Sequence, residues 1–148
     1  MILKTVMFLA VVLTALALIP YGAHLFSLPN KIDMTREQYF VAQSVYNGWA
    51  LISVILIPAM LVNIALAVML RGEAGFMPAV AGCICMAATL AVFFAFTYPA
   101  NVATQNWTVV PADWERLRRS WEYSHAANAG LAFASFCLIV LATLAQRR

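Results

Sequence analysis

Residues 77–98 read MPAVAGCICMAATLAVFFAFTY, with no Asp, Glu, Lys or Arg anywhere in the run. As a helix rising about 1.5 Å per residue, a stretch of this length crosses a hydrocarbon core of roughly 30 Å. Three further runs are equally free of charge: Thr5–Phe26, Gln43–Leu70 and Ala126–Ala145. The chain is 64% hydrophobic and only 10% charged, whereas roughly a quarter of residues in a water-soluble domain carry charge. The expected fold is all-α: a four-helix transmembrane bundle in one integral membrane domain over residues 1–148, with spans at about 5–26, 43–70, 77–98 and 126–145.

The connections between the runs set the order of the bundle. Arg71-Gly72-Glu73-Ala74-Gly75 is short, so the spans on either side of it are antiparallel neighbours. The polar segment Ser27–Arg36 leaves the membrane, and Thr35-Arg36-Glu37-Gln38 fits a capping box that opens the second helix. That helix is expected to run unbroken from Arg36 to Leu70, about 50 Å, so its first turns must project beyond the bilayer. Pro58 should kink it, and Asn63 offers an interhelical hydrogen bond. Small residues form ridges on the third helix (Ala87, Ala91, Ala95) and the fourth (Ala126, Gly130, Ala134), read as packing faces. Lys4 ahead of the first apolar run resembles a secretory signal, but Tyr21 would occupy the −3 position of a cut after Ala23, so this helix is expected to be retained. Cys83, Cys85 and Cys137 lie within apolar runs and read as inert thiols.

Between the third and fourth runs, Tyr98 to Asn128 holds three of the four Trp, an Arg cluster and one of only two His. Its second half reads as a helix opened by Pro111, with Asp113 in the first turn. At 100° per residue, Arg118, Trp121, Glu122, His125, Asn128 and Ala132 fall on one face. The second and fourth helices should therefore extend into a small cap on one side of the membrane. All four Trp and all five Tyr lie on or next to that cap side. An aromatic belt would occupy both interfaces, so these rings build a cap or line a pocket.

Counting about 20 residues along the first span reaches His24, and the same count back along the fourth reaches His125, placing both at similar depth on the cap side. Each alone reads as an interfacial imidazole bonded to a loop carbonyl; together they can share a site. Glu122-x-x-His125 puts a carboxylate one turn from an imidazole, and with His24 it makes a two-His-one-carboxylate metal set. A bis-His haem is a second arrangement, and a cofactor-free pocket with His125 as base a third, so the cofactor stays open. In the cofactor-free form, Glu122 or Asn101 orients His125 and Arg118 steadies an oxyanion, with Tyr46, Trp49, Tyr98 and Trp121 as substrate-binding walls. Arg118 and Glu122 are also spaced as an i,i+4 ion pair, and Thr97, Asn101 and Gln105 share a ridge if the third helix resumes past Pro99.

Tyr98-Pro99-Ala100-Asn101, Trp114 and Trp121-x-x-x-His125 resemble the anthrone-oxygenase-like family of small four-span membrane proteins, and the similarity in span number and spacing covers nearly the whole chain. Some members of that family are associated with oxidation of aromatic anthrones to quinones, while most have no assigned reaction. The resemblance implies roles for Asn101, Trp121 and His125. The expected function is an oxidoreductase or oxygenase acting on a lipophilic aromatic small molecule at the membrane interface. The alternatives are an accessory or structural membrane protein whose aromatic cap meets a partner, and a haem- or metal-binding bundle. A transporter is disfavoured because no apolar run carries an acidic or basic residue other than His. A net charge of +3 split between two faces gives no nucleic-acid surface. The partners expected are membrane lipid and a lipophilic small molecule, with room for a homo-oligomer. Lys and Arg divide four (Lys4, Arg71, Arg147, Arg148) to five (Lys31, Arg36, Arg116, Arg118, Arg119) between the terminal and cap faces. The cap-side cations are interspersed with five of the six acids, so the expectation is an inner (cytoplasmic) membrane protein with both termini cytoplasmic.

Overall fold

The computed structural model describes residues 1–146; Arg147 and Arg148, counted above with the terminal face, lie outside them. The helices are α1 (Ile2–Lys31), α2 (Arg36–Gln43), α3 (Ser53–Met69), α4 (Phe76–Val92), α5 (Tyr98–Ala103) and α6 (Trp114–Leu144), and no strand occurs among the described residues. Four helical stretches are long and apolar enough to cross a membrane: Ile2–Lys31, Trp49–Met69, Phe76–Ala103 and Trp114–Leu144. The protein is an all-α integral membrane bundle. α6 packs on α4 and α1, α1 on α3, and α3 on α4, which closes the four spans into a ring.

Each end of the ring has its own core. At the terminal end Ala10, Leu66, Leu70, Ala79, Ile139 and Ala142 are buried together, while the cap end buries Tyr39, Ala100, Trp107, Leu117 and Trp121. Midway, Asn63 makes the expected interhelical hydrogen bond: its Nδ2 donates to Thr14 Oγ1 at 3.0 Å, tying α3 to α1. The small-residue ridges do not pack as expected. Ala87, Ala91, Ala95 and Gly130 are exposed on the bundle's outer surface. The close approach is made instead by Gly82, where a Cβ would lie 3.0 Å from Ile139, and Ser135 Oγ donates to its carbonyl at 2.8 Å.

The second helix is not continuous. The capping box forms as expected, with Gln38 N–H donating to Thr35 Oγ1 and Thr35 N–H to Gln38 Oε1, but α2 ends at Gln43. Short 3₁₀ turns at Ser44–Tyr46 and Trp49–Ile52 flank a reversal at Asn47-Gly48, where Gly48 adopts φ +82°. The left-handed conformation suits glycine and ends the helical register. The excess length of the predicted helix is thus folded into the cap as α2 rather than projecting in line with α3.

Three other boundaries move. α1 continues through the predicted exit loop to Lys31. α6 starts at Trp114 rather than Pro111, and Asp113, its N-cap, turns its carboxylate to Arg116 instead of capping. The third span does pass Pro99, through a π-helical segment, Phe93–Thr97, that leads into α5. Proline lacks an N–H and crowds the preceding turn, and widening the turn so that Tyr98 N–H reaches Phe93 O relieves both. Gln105 does not extend the ridge, because the chain leaves α5 through a left-handed run (Gln105, Asn106, Trp107; φ 48°, 56°, 65°).

Candidate functional site

α1 and α6 bring His24 and His125 into face-to-face contact, with ring centroids 3.9 Å apart and planes inclined by 23°. Trp121, one turn before His125 on α6, sets its ring edge against both imidazoles, at 5.0 Å from His24 and 4.2 Å from His125. The 3₁₀ turns after α2 supply Tyr46, 4.4 Å from His24, and Trp49, 5.3 Å away. The break at Asn47-Gly48 is what permits this, since it lets rings from both sides of the turn face α1. Asn101 on α5 accepts a hydrogen bond from Trp121 Nε1 at 2.9 Å, holding the indole in place.

Beside the imidazole pair lies a cavity of about 770 Å³. Its walls are mostly apolar and aromatic, with contributions from α1 (Tyr21), α3 (Leu56), the π segment (Phe93, Thr97) and the loop after α5 (Trp107). The volume falls in the range of small-molecule pockets. Among the described residues, no Asp, Glu, Lys or Arg lines it. The π segment is fixed to α6 by a 2.7 Å hydrogen bond between Thr97 Oγ1 and Ser124 Oγ.

A polar chain runs behind the aromatic wall. Lys31 Nζ lies 2.8 Å from Glu122 Oε1, and both residues are buried. The ammonium also sits over the rings of Tyr46 (4.6 Å) and Trp121 (4.9 Å). Tyr39 donates its hydroxyl to Glu122 Oε1 at 3.0 Å and accepts from Gln43 Nε2 at 2.5 Å. Burial, and after it the negative charge of Glu122, pushes the Tyr39 phenol well above its ordinary range, so it stays protonated as a donor. Gln43 is a wall residue of the cavity, so the chain leads from the cap ion pair to the pocket.

Six of the residues singled out from the sequence gather at the cavity: His24, His125, Tyr46, Trp49, Asn101 and Trp121. Three do not. Tyr98 is half exposed on the outer side of α5 and stands with Phe93 and Phe94. Glu122 faces Lys31 and Tyr39 and neither pairs with Arg118 nor orients His125. Arg118 donates to the Met34 carbonyl at 2.7 Å and stacks on Trp114 at 4.7 Å, so it braces the cap rather than an oxyanion. Neither proposed orienting group holds His125, because Asn101 is taken by Trp121 and His125 Nδ1 has no protein partner.

The donor set for a cofactor fits poorly. With Glu122 committed elsewhere, no three His, Cys, Asp or Glu among the described residues converge as metal ligands. Axial haem ligands must leave room for a macrocycle between them, and imidazoles stacked at 3.9 Å leave none. The three cysteines are free and half-buried.

Lys31, Tyr39 and Trp107 belong to the site, and the sequence reading passed over them. A signal for Lys31 existed: it follows His24 by seven residues, two helical turns, so it shares the His24 face once α1 extends that far. No protein-family model, no curated protein and no solved structure matches the chain.

Proposed function

We propose that this protein is a membrane-embedded oxygenase that takes a flat, lipophilic aromatic molecule into the cavity at its cap end. The observation that carries the reading is the stacked His24–His125 pair set in an uncharged, aromatic-walled cavity of about 770 Å³. A substrate of this kind partitions into the bilayer, and rings of Tyr46, Trp49 and Trp121 match its faces. The likeness of Tyr98-Pro99-Ala100-Asn101 and Trp121-x-x-x-His125 to the anthrone-oxygenase-like family points the same way.

In this reading His125, as neutral imidazole, removes a proton from an activated benzylic carbon. The carbanion gives its electrons to dioxygen, which concentrates in apolar phases. The imidazolium returns the proton to form a hydroperoxide, and loss of water leaves the carbonyl. The balance is CH₂ + O₂ → C=O + H₂O, with dioxygen as the oxidant. His24 stacks on His125 and holds its ring plane. An accessory role would favour a solid layer of packed aromatics at the cap end, where a cavity lies instead. The protein belongs, in the same proposal, to the inner membrane with both termini cytoplasmic.

The test is oxygen uptake by the purified protein in detergent with anthrone as the probe, alongside metal analysis and an absorption spectrum. His125→Ala is expected to lower the protein-dependent rate about a hundredfold or more, the scale of a lost general base. Uptake equal in wild type and variant would overturn the reading.

A further inference from the structure

Four polar atoms on side chains lining the cavity are buried and meet no partner in the protein: His24 Nδ1, His125 Nδ1, Gln43 Oε1 and Trp107 Nε1. Gln43 and Trp107 are 3% and 7% exposed, so neither atom is simply turned to bulk water. Buried polar groups are nearly always paired, and a cluster of unpaired ones around one cavity marks places where an occupant supplies the partners.

The polarity of Gln43 is not free to vary. Glu122, facing the Lys31 ammonium at 2.8 Å, presents an acceptor to Tyr39. The Tyr39 hydroxyl therefore spends its one hydrogen on Glu122 and must accept from its other neighbour. That neighbour is Gln43, whose Nε2 has to face Tyr39. The carbonyl Oε1 is thereby left as the unpaired end. Trp107 is equally fixed in kind, since an indole nitrogen can only donate.

We infer that Gln43 and Trp107 select the ligand by this fixed polarity: Gln43 Oε1 accepts a hydrogen bond from a ligand hydroxyl or N–H, and Trp107 Nε1 donates one to a ligand oxygen. The occupant is an uncharged ring compound that carries a donor and a separate acceptor. Carboxylates and phosphates are rejected, because no cation among the described residues lines the cavity to replace their hydration. Lys31, Glu122 and Tyr39 are positioning residues, which act by holding the Gln43 amide one way round. This rests on the reading that the cavity binds a flat lipophilic molecule.

The experiment uses the full-length protein in lipid nanodiscs, with empty nanodiscs as the partition control. β-Naphthol and β-naphthyl methyl ether, alike in shape but differing in the donor, are titrated and binding is read by quenching of tryptophan fluorescence. β-Naphthol is expected to bind roughly five- to tenfold more tightly than the ether, the scale of one hydrogen bond. Gln43→Leu should abolish that ratio while both probes still bind. Tyr39→Phe, which releases the amide to turn over, should reduce the ratio without removing Gln43. A purely structural role for Tyr39 would weaken both probes alike and leave the ratio intact, which would overturn its positioning role. Equal binding of the two probes to the wild type would overturn the Gln43 assignment and leave the proposed function standing. No binding of either would overturn both.

Discussion

Lys31 and Glu122 are 4% and 0% exposed and come from helices far apart in sequence, so each makes the burial of the other tolerable. The attraction between them roughly offsets desolvation, whereas one left alone is a bare charge in an apolar setting. Glu122→Leu is accordingly expected to cost about 3–5 kcal/mol, because the rings of Tyr46 and Trp121 return only about 1–2 kcal/mol to a stranded ammonium. The double change Lys31→Met with Glu122→Leu should recover most of the loss, and thermal unfolding in detergent measures both. Tyr39 gives a pH signature. Its folded pKa lies above the 10.0 of a free phenol, so the unfolded chain ionises first as pH rises. The stability this contributes is complete below about pH 10 and is lost above it. Melting temperature should fall more steeply between pH 10 and 11 in the wild type than in Tyr39→Phe; parallel curves would refute it. At this scale the pairing of His24 with His125 is legible from sequence, since bilayer thickness converts chain position into depth. The Lys31–Glu122 pair is not, because its i,i+4 competitor Arg118–Glu122 looks as good until α2 and Met34 place the Met34 carbonyl under the guanidinium.

Among the elements, the apolar runs and the capping box can be read directly, because length and periodicity report on bilayer and helix geometry alone. The interruptions cannot. Nothing in Ser44–Ile52 forbids helix apart from Gly48, and the break there follows from Tyr46 and Trp49 packing on His24, a contact with another helix. The turn after α5 is the more strained case: Gln105, Asn106 and Trp107 are all left-handed, a conformation that costs a side-chain-bearing residue about 1–2 kcal/mol. The strain is held by Asn106 N–H on Asn101 O at 2.7 Å and Trp107 N–H on Thr104 Oγ1 at 3.0 Å. Its return is the burial of Trp107 against Tyr39, at 5.1 Å, and Trp121, at 6.0 Å. Gln105 is exposed, so its side chain contributes little to offset its backbone. Gln105→Gly should therefore raise stability by up to about 1 kcal/mol, less the extra entropy glycine carries in the unfolded chain. A drop in melting temperature would show that the glutamine side chain anchors the turn.

For the molecule as a whole, the two ends of the ring differ in kind. The terminal end closes on Ala, Leu and Ile side chains and a short turn, where Gly75 comes so near α6 that a Cβ would collide with the Ala142 carbonyl. The cap end carries the cavity, the aromatic wall and the polar chain, and four of its five cations are engaged: Lys31 with Glu122, Arg36 with Glu37, Arg116 with Asp113, Arg118 with Met34 and Trp114. Topogenic charge acts on the chain during insertion, through Lys and Arg close to the span ends. A raw count of four against five is thus nearly balanced, and the bias has to come from position. Lys4 and Arg71 stand at span ends on the terminal face with only Glu73 beside them, whereas the cap-face cations stand among the other five acids, Asp33, Glu37, Asp113, Glu115 and Glu122. A green fluorescent protein fused after Arg148 is therefore expected to fluoresce, and alkaline phosphatase at the same point to stay inactive. The reverse pattern would put the cap in the cytoplasm. In that case Lys4→Gln with Arg71→Gln should leave the topology unchanged, whereas under the expected orientation the same pair should yield a mixed or inverted population.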